Sequence, residues 1–267
     1  MRILEYIFLG IVQGFTEPIP ISSSGHLVIM KNLLNMENLS DLNFEIIVNF
    51  GSLLAILFLY RKMIFTLIHD FFLFIKTRKE EYRKNFRYCM FIIIGTIPAG
   101  LLGLIFQEKI GIISSNVKVI GVALLITAVA LFAIRNINGH KSKDEITYKD
   151  AIKVGLFQAV ALLPGISRSG ATITGGLLCD IKKEDAVNFS FMLYIPISIA
   201  SMIGGVKDLV TSPDLATLAL PYFLGMIASM IVTYFSAKWF IDIVKKNKFI
   251  YFVVYCLIVG TLVVLFM

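Results

Sequence analysis

The sequence predicts an all-α polytopic membrane protein built from two inverted-topology repeats, each a re-entrant helix hairpin followed by three transmembrane helices. Three observations predict this fold. The 267 residues are 57% hydrophobic and only 16% charged, whereas an average soluble domain carries about 25% charged residues. Several apolar runs reach the length of a membrane span. Two stretches of the chain, 145 residues apart, are near copies of each other.

The two copies place polar residues inside otherwise apolar sequence. The first copy extends from Gly10 to His26, and the second from Gly155 to Gly170. Six residues of the first copy fall on identical residues of the second: Gly10, Gln13, Ile21, Ser22, Ser24 and Gly25. A duplicated unit whose polar segment interrupts an apolar helix is typical of inverted repeats with a site at their interface. We therefore expect one membrane domain, 1–267, with repeat 1 at about 1–135 and repeat 2 at about 148–267.

Each repeat is expected to begin with a broken helix, at 3–33 and at 148–180. Pro, Gly and Ser interrupt both segments near their middle. Because non-helical backbone is costly in lipid, each break must be buried against protein or line a cavity, as in a re-entrant hairpin. The segment 61–76 is predicted to be an amphipathic surface helix. Six uninterrupted apolar runs are predicted to span the membrane: 42–60, 88–107, 117–134, 187–206, 217–240 and 249–267.

Three basic clusters predict which ends of the spans are cytoplasmic. They lie at 76–87, 135–153 and 245–248, and Lys and Arg in short loops favour the cytoplasmic side. The net charge of +7 is thus attributed to loops, and no nucleic-acid partner is expected. Three spans per repeat would invert the second hairpin relative to the first, so that the two tips can meet within the membrane and both chain ends lie outside.

The first hairpin carries a carboxylate and a row of small polar residues. Gln13 and Glu17 lie four residues apart and share a helix face. A carboxylate inside an apolar segment is costly and indicates function by default, although Glu17 could instead meet the outer interface. If a helix begins near Ser22, its N-terminus favours an anion. Ser23 and His26 then share a face as a nucleophile and a general base, or they are an ordinary capping serine and a hydrogen-bonded histidine.

The second hairpin repeats this helix start with a different charge. Arg168 occupies the position of Ser23 and offers a planar fork suited to phosphate oxygens. It could instead pair with Glu17 or extend to the surface. Further polar candidates are Ser167, Ser169, Thr172 and Gln158, the counterpart of Gln13. Together the hairpins predict an anion site for an amphiphilic phosphate ester or diphosphate. The rival interpretation is a transporter or flippase for a lipid phosphate, because broken inverted repeats are common in transporters.

At these residues the chain resembles the bacterial undecaprenyl-diphosphate phosphatase family, also called the bacitracin-resistance family. The resemblance rests on two motifs, from Gln13 to His26 and from Pro164 to Thr172. It implies hydrolysis of undecaprenyl diphosphate to the monophosphate at the outer face of the bacterial cytoplasmic membrane. It also implies a divalent metal ion, Mg²⁺ or Ca²⁺. Whether two copies of the chain form a homodimer is left open.

The resemblance also implies a role for each matching residue. Ser23 is the nucleophile, His26 its proton partner, Arg168 the diphosphate clamp and Glu17 the metal ligand or a group that orients the metal. Substrate contacts are expected from Ser22, Ser24, Ser167, Ser169, Thr172, Gln13 and Gln158. The amide of Gln13 stands where the family also accepts an acid, which puts a metal site with two carboxylates in doubt. Direct attack by water would use the same residues as a phosphoserine route.

Overall fold

The computed structural model describes residues 2–34, 42–114, 116–212 and 215–267. Within these ranges the chain is α-helical, with one short 3₁₀ turn and no strand, so the predicted all-α class is confirmed. The helices are α1 (Arg2–Thr16), α2 (Ser23–Leu33), α3 (Leu42–Leu59), α4 (Arg61–Thr77), α5 (Glu80–Ser114), α6 (Val117–Ile134), α7 (Tyr148–Val160), α8 (Arg168–Leu178), α9 (Lys183–Thr211), α10 (Leu215–Lys245) and α11 (Ile250–Phe266).

Both predicted helix breaks are present and begin their second helices in the same way. Ser22 caps α2, its hydroxyl accepting a hydrogen bond from the amide of Gly25 at 3.4 Å. Ser167 caps α8 through the amide of Gly170 at 3.1 Å. A serine oxygen thereby satisfies one of the free amides at each helix start.

The first break is buried against protein. Ile19 and Ile21 belong to the main hydrophobic core, where they join Ile120 and Leu124 of α6 and Ile173 of α8. Each of these side chains is at most 3% exposed. The irregular backbone is therefore kept away from lipid, as its cost in a bilayer requires.

Several helices are long and apolar enough to cross a membrane. Within the described part of the chain four qualify by length and composition, namely α5, α6, α9 and α10, and α3 with α4 makes a fifth if that bent pair is one span. The 17 residues of α11 lie at the lower limit of spanning length. The chain is a multi-pass membrane protein. The count of six spans and the sidedness of the loops stay predictions.

The helix α4 leaves α3 at a bend of 76°, where a surface helix was predicted. Four of its apolar side chains are exposed, including Phe65 at 73% and Phe72 at 64%, whereas Leu67 is buried at 5%. An apolar face of this kind on a helix turned away from its neighbour is typical of an interfacial helix.

The packing between the two repeats is reciprocal. The helix α1 packs on α10, and α7, its counterpart, packs on α5. A Cβ atom on Gly10 would lie 2.2 Å from the carbonyl oxygen of Gly225, and one on Gly155 would lie 2.5 Å from that of Gly95. Backbones approach closely in membranes where small residues face each other. Gly10 and Gly155 are counterparts in the 145-residue register, so both copies use the same kind of contact. The inverted topology itself stays a prediction.

Candidate active site

A small cavity of about 60 Å³ lies between the two hairpin tips. Since one water molecule needs about 10–15 Å³ of such space, the cavity has room for a few waters. Both hairpins contribute to its wall, which consists of Glu17, Ser22, Ser23, Ser24, Ala161, Ile166, Ser167, Arg168 and Ser169. Most of the predicted site residues are thus brought together, whereas Gln13, His26, Thr172 and Gln158 are not part of this wall.

Glu17 is the centre of the polar contacts. Its Oε2 accepts hydrogen bonds from Nε2 of Gln13, at 2.9 Å, and from the hydroxyl of Ser23. Its Oε1 is paired with Nη2 of Arg168. The two charged side chains are only 9% and 20% exposed, so Arg168 does not extend to the surface. Removing either partner would leave the other charge buried and unpaired, which costs about 3–5 kcal/mol.

The starts of α2 and α8 both face the cavity through their serines. The hydroxyl of Ser169 donates to the carbonyl of Ile19 at 3.2 Å, so it also ties the two hairpins together. The amide of Ser167 is held by Oγ1 of Thr127 at 3.2 Å. Helix N-termini carry partial positive charge and free amides that favour phosphate oxygens. The cavity therefore combines two such termini with the guanidinium of Arg168.

His26 lies apart from the cavity wall and is 2% exposed. Its Nδ1 is 2.7 Å from the carbonyl oxygen of Ser22, and its Nε2 is 2.8 Å from the hydroxyl of Tyr255. Because a carbonyl can only accept, Nδ1 carries the proton and Nε2 accepts from Tyr255. The predicted pairing of Ser23 with His26 is not formed, since both ring nitrogens are engaged elsewhere and Ser23 donates to Glu17.

The histidine instead supports an unusual backbone. Ser22 has a φ of 69°, a left-handed value that is uncommon for a residue other than glycine. Its carbonyl accepts from both the ring and the amide of His26. Such backbone conformations persist only where the surroundings enforce them, and they cluster at functional sites. His26 thus fixes the turn that presents the serines to the cavity.

Thr172 and Gln158, which were predicted to contact the substrate, do not line the cavity. The hydroxyl of Thr172 donates to the carbonyl of Arg168 at 2.9 Å and lies 2.6 Å from Oγ of Ser190, with Thr172 fully buried. Gln158 is 1% exposed, and neither its side-chain nitrogen nor its oxygen has a hydrogen-bond partner. Gln13, its counterpart, reaches Glu17. Only the first of the two glutamines is therefore connected to the site.

Two tyrosines at the site were missed by sequence reasoning. Tyr194 lies beneath Arg168, with the guanidinium carbon 3.9 Å from the ring centroid, and Tyr255 contacts His26. Tyr194 falls on Asn49 in the 145-residue register, and because the two residues differ, the repeat comparison does not mark it. No local pattern marks Tyr255, which comes from the last helix.

The donor atoms around the cavity limit the kind of metal site that can form. Among the described residues, no group of three or more His, Cys, Asp or Glu side chains could hold a metal ion, and Glu17 is the one carboxylate lining the cavity. Mg²⁺ is commonly bound by one or two carboxylates together with substrate phosphates and its own waters. These residues fit such a cation better than one enclosed by protein oxygens alone.

The chain matches the protein family described as bacitracin resistance protein BacA over residues 6–262. It is 46% identical over 265 residues to Undecaprenyl-diphosphatase 2 of Bacillus thuringiensis, covering 99% of this chain and 98% of that protein. It is 44% identical over 267 residues to Undecaprenyl-diphosphatase of Oceanobacillus iheyensis, covering 99% and 97%. Undecaprenyl-diphosphatase 1 of Halalkalibacterium halodurans is 42% identical over 261 residues, covering 98% and 95%.

Proposed function

This chain belongs to the bacitracin resistance protein BacA family, and we propose that the cavity between its hairpins is the active site of an undecaprenyl-diphosphatase. The enzyme hydrolyses undecaprenyl diphosphate to undecaprenyl phosphate and inorganic phosphate. It thereby recycles the lipid carrier of cell-wall synthesis and gives resistance to bacitracin. The single observation that carries the site is the meeting of Glu17, Ser23 and Arg168 at two facing helix starts.

The positive groups of the cavity hold the diphosphate. Arg168 can give two parallel hydrogen bonds to phosphate oxygens, and the amides at the starts of α2 and α8 add partial positive charge. Phosphoryl transfer depends mainly on in-line positioning and on neutralising charge at the transferring oxygens. The hydroxyls of Ser24 and Ser167 supply further donors to those oxygens, whereas that of Ser169 must first release the carbonyl of Ile19.

Ser23 is the nucleophile, and Glu17 accepts its proton. The hydroxyl of Ser23 already donates to the Glu17 carboxylate, which is the arrangement of a nucleophile beside its base. Its oxygen forms a bond to the terminal phosphorus, the phosphoanhydride bond breaks, and undecaprenyl phosphate leaves with the bonding electrons. Water then cleaves the phosphoserine and releases inorganic phosphate. His26 acts on this step through the Ser22 turn, and direct proton transfer by His26 stays a prediction.

A divalent cation, Mg²⁺ or Ca²⁺, completes the site, with Glu17 as its protein ligand. The ion would neutralise charge on the diphosphate oxygens. Because Gln13 is neutral and donates to Glu17, it adds no second carboxylate. This donor set favours Mg²⁺, which keeps most of its own waters.

The protein resides in the bacterial cytoplasmic membrane with its active site open to the outer side. The basic clusters at 76–87, 135–153 and 245–248 support this orientation, since they place the opposite ends of the spans outside. Labelling of single cysteines at Ser24 and at Lys79 in intact cells with a membrane-impermeant maleimide tests it. We expect only the cysteine at position 24 to react from outside, and the reverse result would invert the orientation.

The test of function is phosphate release from undecaprenyl diphosphate by the purified protein, with Mg²⁺ or Ca²⁺ and after chelation. We expect metal-dependent release, lost in Ser23→Ala and Arg168→Ala and kept in Ser201→Ala, which alters an exposed serine of α9. Wild-type protein that binds the lipid without releasing phosphate would favour transport instead.

Acid quenching with substrate labelled at the terminal phosphorus should leave the label on Ser23. Activity in Ser23→Ala would instead indicate that water attacks the diphosphate directly, without a phosphoserine intermediate.

A further inference from the structure

The guanidinium of Arg168 is held on two sides. One nitrogen pairs with Glu17, and the flat face lies over the ring of Tyr194, 3.9 Å from its centroid. Tyr194 is 2% exposed, so the contact is shielded from water. Cation–π attraction is strongest when both groups are desolvated. Without the ring, a long arginine side chain would keep most of its rotamers.

The ring of Tyr194 is itself fixed by the other repeat. Its hydroxyl is 2.7 Å from Oδ1 of Asn49 and 3.0 Å from the Asn49 carbonyl oxygen. Nδ2 of Asn49 in turn lies 3.5 Å from Oγ of Ser198. Because Asn49 is on α3 and Tyr194 on α9, the tether crosses from one repeat to the other. The two residues are counterparts in the 145-residue register, as are Ser23 and Arg168.

We propose that Tyr194 is a positioning residue that sets the location of Arg168 for the diphosphate, and that Asn49 is its tether. This inference rests on the proposed function. When the lipid diphosphate draws the guanidinium away from Glu17, the ring remains beneath it as a rigid support. The arginine is then already oriented when phosphate oxygens arrive, and a preorganised donor costs no rearrangement at the moment of reaction.

Three variants separate the parts of this support. Tyr194→Leu removes the ring, and we expect kcat/KM to fall by about 10–30-fold, with KM raised. Tyr194→Phe keeps the ring and loses the tether, so the fall should be about threefold. Asn49→Ala removes only the side-chain acceptor and keeps the backbone carbonyl, so its fall should be no larger than that of Tyr194→Phe. A merely structural role for the ring would lower stability without this graded effect on KM.

A double-mutant cycle shows whether the ring acts through the arginine. In the Arg168→Ala background, Tyr194→Leu should cause no further loss of affinity for undecaprenyl diphosphate, because the group it supports is gone. The matched control is Tyr88→Leu, which removes a buried tyrosine 1% exposed and beneath Lys143. It should lower the melting temperature but change kcat/KM by less than about twofold. Additive losses for Tyr194 and Arg168, or an equal loss in Tyr88→Leu, would overturn the inference.

Lipid binding is measured alongside phosphate release, so that failure of the proposed hydrolase function can be distinguished from failure of the proposed role of Tyr194. The equilibrium affinity of the purified full-length protein for undecaprenyl diphosphate should be lower in Tyr194→Leu and unchanged in Tyr88→Leu. A wild-type protein that binds without releasing phosphate overturns the hydrolase alone. Equal binding by wild type and Tyr194→Leu, with release intact in both, overturns the role of Tyr194 alone.

Discussion

The two hairpins share the same order of elements and differ in charge. Each ends a first helix, breaks, and begins a second helix capped by a serine. In register, however, Glu17 falls on Leu162 and Ser23 falls on Arg168. The first hairpin therefore carries the carboxylate and the proposed nucleophile, and the second carries the cation. Both copies thus have a helix start that favours anions, but their charged side chains differ. The site therefore takes its carboxylate from one copy and its cation from the other.

The two glutamines show the same divergence at a smaller scale. Gln13 donates to Glu17, whereas Gln158 is buried with neither polar atom paired. An unpaired buried amide costs about 1–3 kcal/mol. The second glutamine thus occupies an inherited position without the hydrogen bond that its counterpart makes.

The largest expected effect comes from removing the carboxylate of the first hairpin. Glu17→Gln should lower kcat by about 10³–10⁴-fold, because it removes the ion partner of Arg168 together with the proposed base and proposed metal ligand. Steady-state phosphate release measures it. The matched control is Leu162→Gln at the counterpart position, which should remain active within about threefold. Equal losses at both positions would mean that the hairpins are functionally equivalent.

A second test changes the cation of the other hairpin. Arg168→Lys should lower kcat by about 10²-fold, because lysine keeps the charge but cannot form the bidentate fork. The exchange Ser23→Arg with Arg168→Ser should not restore activity, since the nucleophile would then face Leu162 and no carboxylate. An active exchange variant would contradict the assignment of separate roles to the two hairpins.

Adding a carboxylate at each glutamine should have opposite consequences. Gln13→Glu places a second acid beside Glu17, so half-maximal activity should need less Mg²⁺, as a metal titration can show. Gln158→Glu buries a charge with no partner and should lower the free energy of unfolding by about 3–5 kcal/mol. Unchanged thermal stability in Gln158→Glu would show that the second glutamine has access to water or to a partner.

The smallest expected effect is a gain of stability. Gln158→Leu removes two unsatisfied polar atoms and should stabilise the protein by about 1–3 kcal/mol, seen as a higher melting temperature in detergent. Gln13→Leu should leave stability nearly unchanged and reduce kcat a few-fold, because Glu17 loses one of its hydrogen bonds. Stabilisation by both substitutions would remove the distinction between the two glutamines.

The helices and the breaks were predictable because their signals are local. The apolar run 117–134 coincides with α6, and the serines before α2 and α8 mark helix starts through short-range caps. The meeting of the hairpins also followed from the duplicated motif. These features depend on residues a few positions apart or on an internal repeat, both of which a single sequence displays.

The contacts inside the site were less accessible. Which group accepts the proton of Ser23 depends on how the chain turns between Glu17 and Ser22. The positive φ at Ser22 was not predictable, because glycine, the usual sign of such a backbone, is absent at that position. The interaction of His26 with Tyr255 joins residues 229 positions apart. Pairing of Arg168 with Glu17 was one of several alternatives, because periodicity does not show which way a hairpin tip faces.

The ion pair between Glu17 and Arg168 also bears on how the protein is made. The two residues are 151 positions apart, so Glu17 leaves the ribosome long before its partner exists. Until then the first hairpin carries a carboxylate without its cation, in a bilayer where charges are costly. We therefore expect stable insertion of the first hairpin only after the second half has been synthesised, when Arg168 is available to pair with Glu17.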